Sequence, residues 1–139
     1  MRARRMSSRM HAACIGTSLA MLGGCGLAHA RVFVVTANPD LTFSPESITI
    51  YQGDAIRFEN AGGIHNVHAD DNRFICSINC STDNAPSGQP WSVVVRFGQL
   101  GTIGYYCDQH GNLDGGMRGS ITVIDRVFVD GFDPTPTVH

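Results

Sequence analysis

Residues 105–119 read YYCDQHGNLDGGMRG, and this stretch decides how the rest of the chain is interpreted. It places the thiol of Cys107, the imidazole of His110 and the thioether of Met117 in one short segment between two strand-like runs. A thiolate and imidazoles in a trigonal plane, with a weak axial thioether, are the ligands that select a blue-copper electron-transfer site. The segment lacks a second imidazole, which His65 supplies from a position between a glycine turn and a β-branched run.

Three segments make the chain resemble the cupredoxins, the small plastocyanin-like and azurin-like copper proteins of bacteria. Residues 43–60 resemble the family pattern FxPxxxxxxxGDxVxFxN, residues 63–67 its first-ligand loop, and residues 105–123 its pattern YYCxxHxxxGMxGxxxV. The resemblance implies a Greek-key β-sandwich that binds one type 1 copper ion. The ligands that it implies are His65, Cys107, His110 and Met117.

The resemblance also implies a role for each ligand. His65 is expected to be buried, and His110 to reach the surface where an electron enters or leaves. Asn66 is expected to bridge the two ligand loops and to donate its backbone N–H to the thiolate, which tunes the reduction potential. The chain departs from plastocyanins in one respect: six residues rather than four separate His110 from Met117. This longer loop leaves the copper–thioether distance, and with it the potential, undetermined.

The hydrophobic pattern independently predicts an all-β fold of about seven strands, with no convincing helix. Short β-branched runs alternate with turn residues, the pattern of an antiparallel sandwich. Residues 47–51 and 55–60 are predicted to form a hairpin about the Gln52-Gly53-Asp54 turn. The predicted strands are residues 31–37, 47–51, 55–60, 64–69, 91–97, 102–107 and 119–125.

The first 30 residues have the pattern of a signal peptide. A basic start precedes a short apolar run and the Ala-His-Ala sequence at 28–30, and the run is too short to span a bilayer. We expect cleavage after Ala30 and a periplasmic protein. The alternative is a membrane-anchored lipoprotein, because Leu-Gly-Gly-Cys ending at Cys25 resembles a lipobox. Residues 31–125 then form the cupredoxin domain, and residues 126–139 are a tail that is expected to be frayed.

The charge of the exported part limits its partners. Residues 31–139 contain six arginines, no lysine and twelve acidic residues, a formal net charge of −6 with neutral histidines. This charge argues against nucleic acid and anionic lipid as partners. It favours transient binding of a redox partner with a basic face. We expect a monomer without a transmembrane helix.

Three cysteines remain after residue 30, and an exported setting favours oxidation of one pair. Cys76 and Cys80 are the near pair, which leaves Cys107 free for the metal. An alternative is a zinc site of mixed ligands, His65 and His68 with Cys76 and Cys80. That interpretation needs His65 as a ligand of both the zinc and the copper ion, and it leaves the segment with Cys107, His110 and Met117 unexplained.

The resulting functional prediction is a one-electron carrier that cycles between Cu(I) and Cu(II), and not an enzyme. Copper oxidases and nitrite reductases resemble this chain in part, but they need further copper centres with His-x-His pairs. The chain has one domain and no such pair. The alternative is a periplasmic copper-handling protein without an electron-carrier role.

Overall fold

The computed structural model describes residues 29–81 and 84–126, so the predicted signal peptide up to residue 28, Cys25 and tail residues 127–139 lie outside the described residues. The described residues form ten strands and no helix, hence none that is long and apolar enough to cross a membrane. The strands are β1 (Val32–Ala37), β2 (Phe43–Ser44), β3 (Ser47–Tyr51), β4 (Ala55–Asn60), β5 (Val67–Ala69), β6 (Ile75–Cys76), β7 (Cys80–Ser81), β8 (Ser92–Arg96), β9 (Gly101–Asn112) and β10 (Gly115–Ile124).

The strands form two sheets that enclose one apolar core. The first sheet has the order β2-β1-β4-β8, and the second the order β3-β10-β9-β5-β6-β7. Alternate residues of both sheets point inward, as Ile56 and Phe58 of β4 do, while Arg57 between them is exposed. The predicted all-β sandwich is therefore confirmed.

The prediction of a hairpin between β3 and β4 is wrong. The Gln52-Gly53-Asp54 turn carries the chain from one sheet to the other, so the two strands have different neighbours. Strand β3 pairs in parallel with β10, and β4 pairs in parallel with β1 and antiparallel with β8. The sandwich is thus mixed rather than purely antiparallel. Hydrophobic alternation specifies which face of a strand is buried, but it does not specify the partner strand.

The strand count is ten rather than about seven, because three two-residue strands were missed. The larger difference concerns β9 and β10. The sequence predicted that one strand ended at Cys107 and the next began at Gly119, with a ligand loop between them. In the structure both strands continue, and residues 101–124 form one long hairpin whose turn contains Leu113 and Asp114. Asn112 closes this turn, since its Oδ1 accepts hydrogen bonds from the N–H groups of Asp114 and Gly115.

The core is richest in aromatic residues beneath β9. The ring of Tyr105 is fully buried and meets Phe43 and Phe58 edge-on, with ring centroids 5.0 and 5.4 Å apart. Phe74 in turn lies 6.0 Å from both Phe58 and Phe97. These rings link the two sheets and support the strand that leads into Cys107.

The buried carboxylate of Asp54, just after β3, connects three separate parts of the chain. Asp54 is fully buried and accepts hydrogen bonds from the backbone N–H of Arg31 at 2.8 Å and of Tyr51 at 3.0 Å. The guanidinium of Arg126 lies 3.4 Å from the same carboxylate, and it also stacks over the Tyr51 ring at 4.7 Å. Asp54 therefore ties together the start of β1, the turn between the sheets and the chain after β10.

Candidate metal centre

A bulge in the long hairpin carries three of the candidate ligands, Cys107, His110 and Met117. The pairing register of β9 and β10 shifts between Gly116 and Arg118. At this point four residues of β9, 107–110, lie opposite one residue of β10, Met117. Extra residues on one strand of a pair bend that strand and redirect its side chains. The sulfur and imidazole of residues 107–110 and the thioether of Met117 thereby come to the same end of the sandwich.

His65 reaches this end from the loop before β5. Its backbone forms a bridge with Ser87, with N···O distances of 3.2 and 2.9 Å. The side-chain amide of Asn60 donates to the carbonyl oxygens of Gly63 and Ser87, and so ties the two segments of the loop together. Gly63 has a φ of 92°, and a Cβ atom there would lie 2.5 Å from Nε2 of His65. Only glycine fits this position.

The donor atoms of three side chains converge on one point. Sγ of Cys107 lies 3.7 Å from Nδ1 of His65 and 3.7 Å from Nδ1 of His110, and all three donors lie within 4.8 Å of one another. An ion about 2.0 Å from each nitrogen and about 2.3 Å from sulfur separates N and S by about 3.7 Å in a trigonal plane. Both measured sulfur–nitrogen distances therefore match those expected for a bound metal ion.

The site is dry on the inside and open on one side. His65 and Cys107 are fully buried, Met117 is 2% exposed and lies near His65, and His110 is partly exposed. Burial lowers the pKa of His65, and a charge on His110 lowers it further. The unprotonated ring that a metal requires is thus favoured in the protein itself.

Asn66 bridges the two ligand segments through its side chain. Its Oδ1 accepts a hydrogen bond from the backbone N–H of Asp108 at 2.9 Å, and its Nδ2 donates to the carboxylate of Asp108 at 2.6 Å. The same amide group donates to the carbonyl of Asn84 at 2.9 Å. Because Asn66 follows His65 and Asp108 follows Cys107, these bonds hold the two ligands in register.

The structure contains the Cys76–Cys80 disulfide, with an S–S distance of 2.08 Å. Among the described residues Cys107 is the free cysteine. The alternative zinc site fails because its two sulfur ligands are joined to each other. Its fourth member, His68, instead hydrogen-bonds to Asp108 and Asn72.

Sequence reasoning missed the polar residues around the ligands. Asp108, Asn84 and Asn60 were not singled out, although each makes several hydrogen bonds that shape the site. The position of Asp108 directly after a ligand was the one available signal. Asn60 precedes His65 by five residues and Asn84 follows it by nineteen, and only the folded chain shows which groups their side chains contact.

A β-sandwich that presents a buried cysteine, two histidines and a nearby methionine at one end defines a small copper protein of the cupredoxin class. The model of the family described as "Copper binding proteins, plastocyanin/azurin family" matches residues 30–124. The chain belongs to this family.

Individual relatives agree with this assignment. Plastocyanin A/B of Petroselinum crispum is 32% identical over 100 residues, which cover 68% of this chain and 99% of the relative. The chloroplastic plastocyanin of Chlamydomonas reinhardtii is 35% identical over 121 residues, 81% of this chain and 80% of the relative. The solved purple cupredoxin of Nitrosopumilus maritimus has a TM-score of 0.50 at 21% identity, and the matched region covers 66% of this chain and 99% of the purple cupredoxin. This last likeness concerns the fold alone.

Proposed function

We propose that this protein is a type 1 copper protein that carries single electrons. His65, Cys107 and His110 would hold the copper ion, together with the nearby thioether of Met117. The observation that carries the proposal is the convergence of one sulfur and two imidazole nitrogens, with both S···N distances 3.7 Å. Plastocyanin-like relatives are electron carriers rather than enzymes, which supports the same function.

The copper ion would supply the one-electron chemistry, and the protein's own residues would make it fast. The ligands are anchored in a bulged strand and in a bridged loop. They would therefore not need to move when the copper ion changes its oxidation state. Burial of Cys107 and His65 excludes water from the inner side. His110 is partly exposed, and two apolar residues close to the ligands in sequence are exposed as well: Ile64, just before His65, at 52%, and Leu113, three residues after His110, at 60%. This apolar rim would be the docking face for electron exchange.

The cellular setting is part of the proposal. We infer that residues 1–30 direct export to the periplasm, with a lipid anchor at Cys25 as the alternative. The net charge of −6 on residues 31–139 supports transient association with a partner that has a basic face. The exported protein would act as a monomer.

The test is a visible absorption titration of residues 31–139 with Cu(II), compared with the Cys107→Ser variant. An intense blue thiolate-to-copper band at one equivalent is expected in the unmodified protein and not in the variant. The matched control is the double variant Cys76→Ser/Cys80→Ser, which loses two cysteines but keeps Cys107, and it should retain the band.

Two outcomes would contradict the proposal. Tight copper binding without the blue band would show that Cys107 is not a ligand, and would favour copper handling as the function. No copper binding at all would exclude both roles for this site.

A further inference from the structure

His68 lies on the outer side of the metal centre and uses both of its ring nitrogens. Nδ1 lies 2.8 Å from Oδ1 of Asp108, and Nε2 lies 2.6 Å from Oδ1 of Asn72. The ring also stacks on Tyr106, with centroids 4.9 Å apart and planes 27° apart. Both partners of the ring nitrogens are acceptor oxygens, and only the protonated imidazolium can donate to two acceptors. This arrangement of acceptors therefore favours the protonated imidazolium of His68.

Asp108 connects this imidazolium to both ligand segments. Its Oδ1 faces His68, and its Oδ2 accepts the hydrogen bond from Asn66 at 2.6 Å. The backbone N–H of Asp108 returns a hydrogen bond to the Asn66 side chain at 2.9 Å. Since Asp108 follows Cys107 and Asn66 follows His65, the hydrogen bonds that begin at His68 reach the chain neighbours of the two buried ligands.

The charges around His68 favour its protonated form. Burial lowers its pKa, but the hydrogen bonds to Asn72 and Asp108 and the charges of Asp108 and Asp70 raise it above its usual value overall. Asp70 is itself paired with Arg118 at 2.5 Å, and the Arg118 guanidinium lies 5.8 Å from the Tyr106 ring centroid. The His68 side chain is 14% exposed, so it exchanges protons with solvent.

We propose that His68 is a positioning residue of the metal centre, which acts through Asp108 and Asn66 and makes the reduction potential depend on pH. The proposal rests on the proposed copper function, and it assigns to this site a regulator outside the ligand set. Protonated His68 offsets the charge of Asp108 and keeps its carboxylate aligned with Asn66. Loss of that proton leaves an unbalanced carboxylate directly after the cysteine ligand.

The sign of the effect follows from charge. Reduction by the redox partner adds one electron to the site, and a positive charge nearby favours the reduced state. The potential is therefore higher when His68 is protonated, and it falls as pH rises through the His68 pKa. By linkage, reduction raises the proton affinity of His68, so one electron gained is accompanied by up to one proton taken from solvent onto its ring.

The first measurement is the reduction potential of the copper-loaded protein against pH, in the unmodified chain and in His68→Gln. At fixed applied potential the reduced-to-oxidised ratio should fall by about threefold or more across the titration. His68→Gln keeps a polar side chain but has no proton to lose, so this step should disappear. Arg73→Gln is the matched control: it removes a permanent charge from the neighbouring turn, and the step should remain.

The second measurement needs no metal. In the copper-free protein, NMR titration of the His68 ring should give a pKa above that of an unpaired histidine, and Asp108→Asn should lower it. A step that persists in His68→Gln would assign the pH dependence to His110 and overturn the inference, as would a His68 pKa unaffected by Asp108→Asn. Absence of the blue band would refute the proposed type 1 copper function itself. A flat potential with the band intact would refute this inference alone.

Discussion

Gly63 shows how one residue gives a ligand its place. Its φ is 92°, and a Cβ atom would contact the His65 ring at 2.5 Å. Gly63→Ala should therefore displace His65 and lower copper affinity by about tenfold or more, as changes beside a ligand do. Equilibrium copper competition measures the loss.

Gly53→Ala is the matched control for this prediction. Gly53 has a φ of 91°, but nothing lies within 4 Å of its Cβ position. Both variants should lose about 1–2 kcal/mol of unfolding free energy from backbone strain. Only Gly63→Ala should change copper binding, and equal affinities in the two variants would contradict the steric argument.

At this scale the sequence predicted which residues converge, but not what holds them. The spacing of Cys107 and His110, with Met117 beyond, indicated a shared site because those three lie in one segment. The partners of Asn66 were not predictable in the same way. Asn84 and Asp108 are 18 and 42 residues away from it, and hydrophobic alternation contains no information on such polar pairs.

Among the elements, the hairpin of β9 and β10 determines where the thioether lies. Its extra residues form a regular turn beyond the site, with Gly111 opposite Gly116 and Asn112 opposite Gly115. The longer spacing between His110 and Met117 therefore extends the hairpin tip and leaves Met117 buried near His65.

Met117→Leu should keep the core filled while it removes the sulfur. We expect the blue band to persist and the reduction potential to rise, because a thioether donates electron density and stabilises Cu(II). Cyclic voltammetry measures the change. Ile121→Leu, a volume-conserving change at a buried position four residues further along β10, serves as the control and should leave the potential unaltered. An unchanged potential in Met117→Leu would place the thioether outside the metal's reach.

Strand prediction succeeded where alternation was clear and failed where glycine replaced it. The bounds of β3 and β4 match the predicted runs, since each has β-branched or aromatic residues on its inner face. The outer parts of β9 and β10 contain Gly111, Gly115 and Gly116, whose lack of side chains removed the periodic signal. The pairing of strands needed contacts between distant residues, so the sheet to which each strand belongs was not predictable.

On the scale of the whole molecule, Asp54, which stabilises the fold, and Met117, at the metal centre, lie at different places along β10. Asp54 lies beside the end of this strand, where Gln52 N–H donates to the Ile124 carbonyl. Ile124 lies seven positions after Met117, roughly 23 Å of extended chain. Asp54→Ala should cost about 2–4 kcal/mol of unfolding free energy, because it removes the buried carboxylate that accepts hydrogen bonds from the N–H groups of Arg31 and Tyr51.

Chemical denaturation of the copper-free protein measures this loss, and the blue band of the folded variant should be unchanged. Asp71→Asn is the control: its carboxylate pairs with Arg73 at the surface, and its loss should cost less than about 1 kcal/mol. A shifted band in Asp54→Ala would show that the two ends of the sandwich are coupled.

The parallel pairing of β3 with β10 also determines when β3 can fold. Ser47 pairs with Ser120, 73 residues later, and β10 is the one neighbour of β3 in its sheet. While a chain is being synthesised or translocated, Ile48 and Ile50 have no partner strand until the last strand has emerged. Pairings of such long range make folding slow, on the scale of milliseconds to seconds. A chain cut before residue 115 would lack β10 and leave the apolar strand β3 free to aggregate.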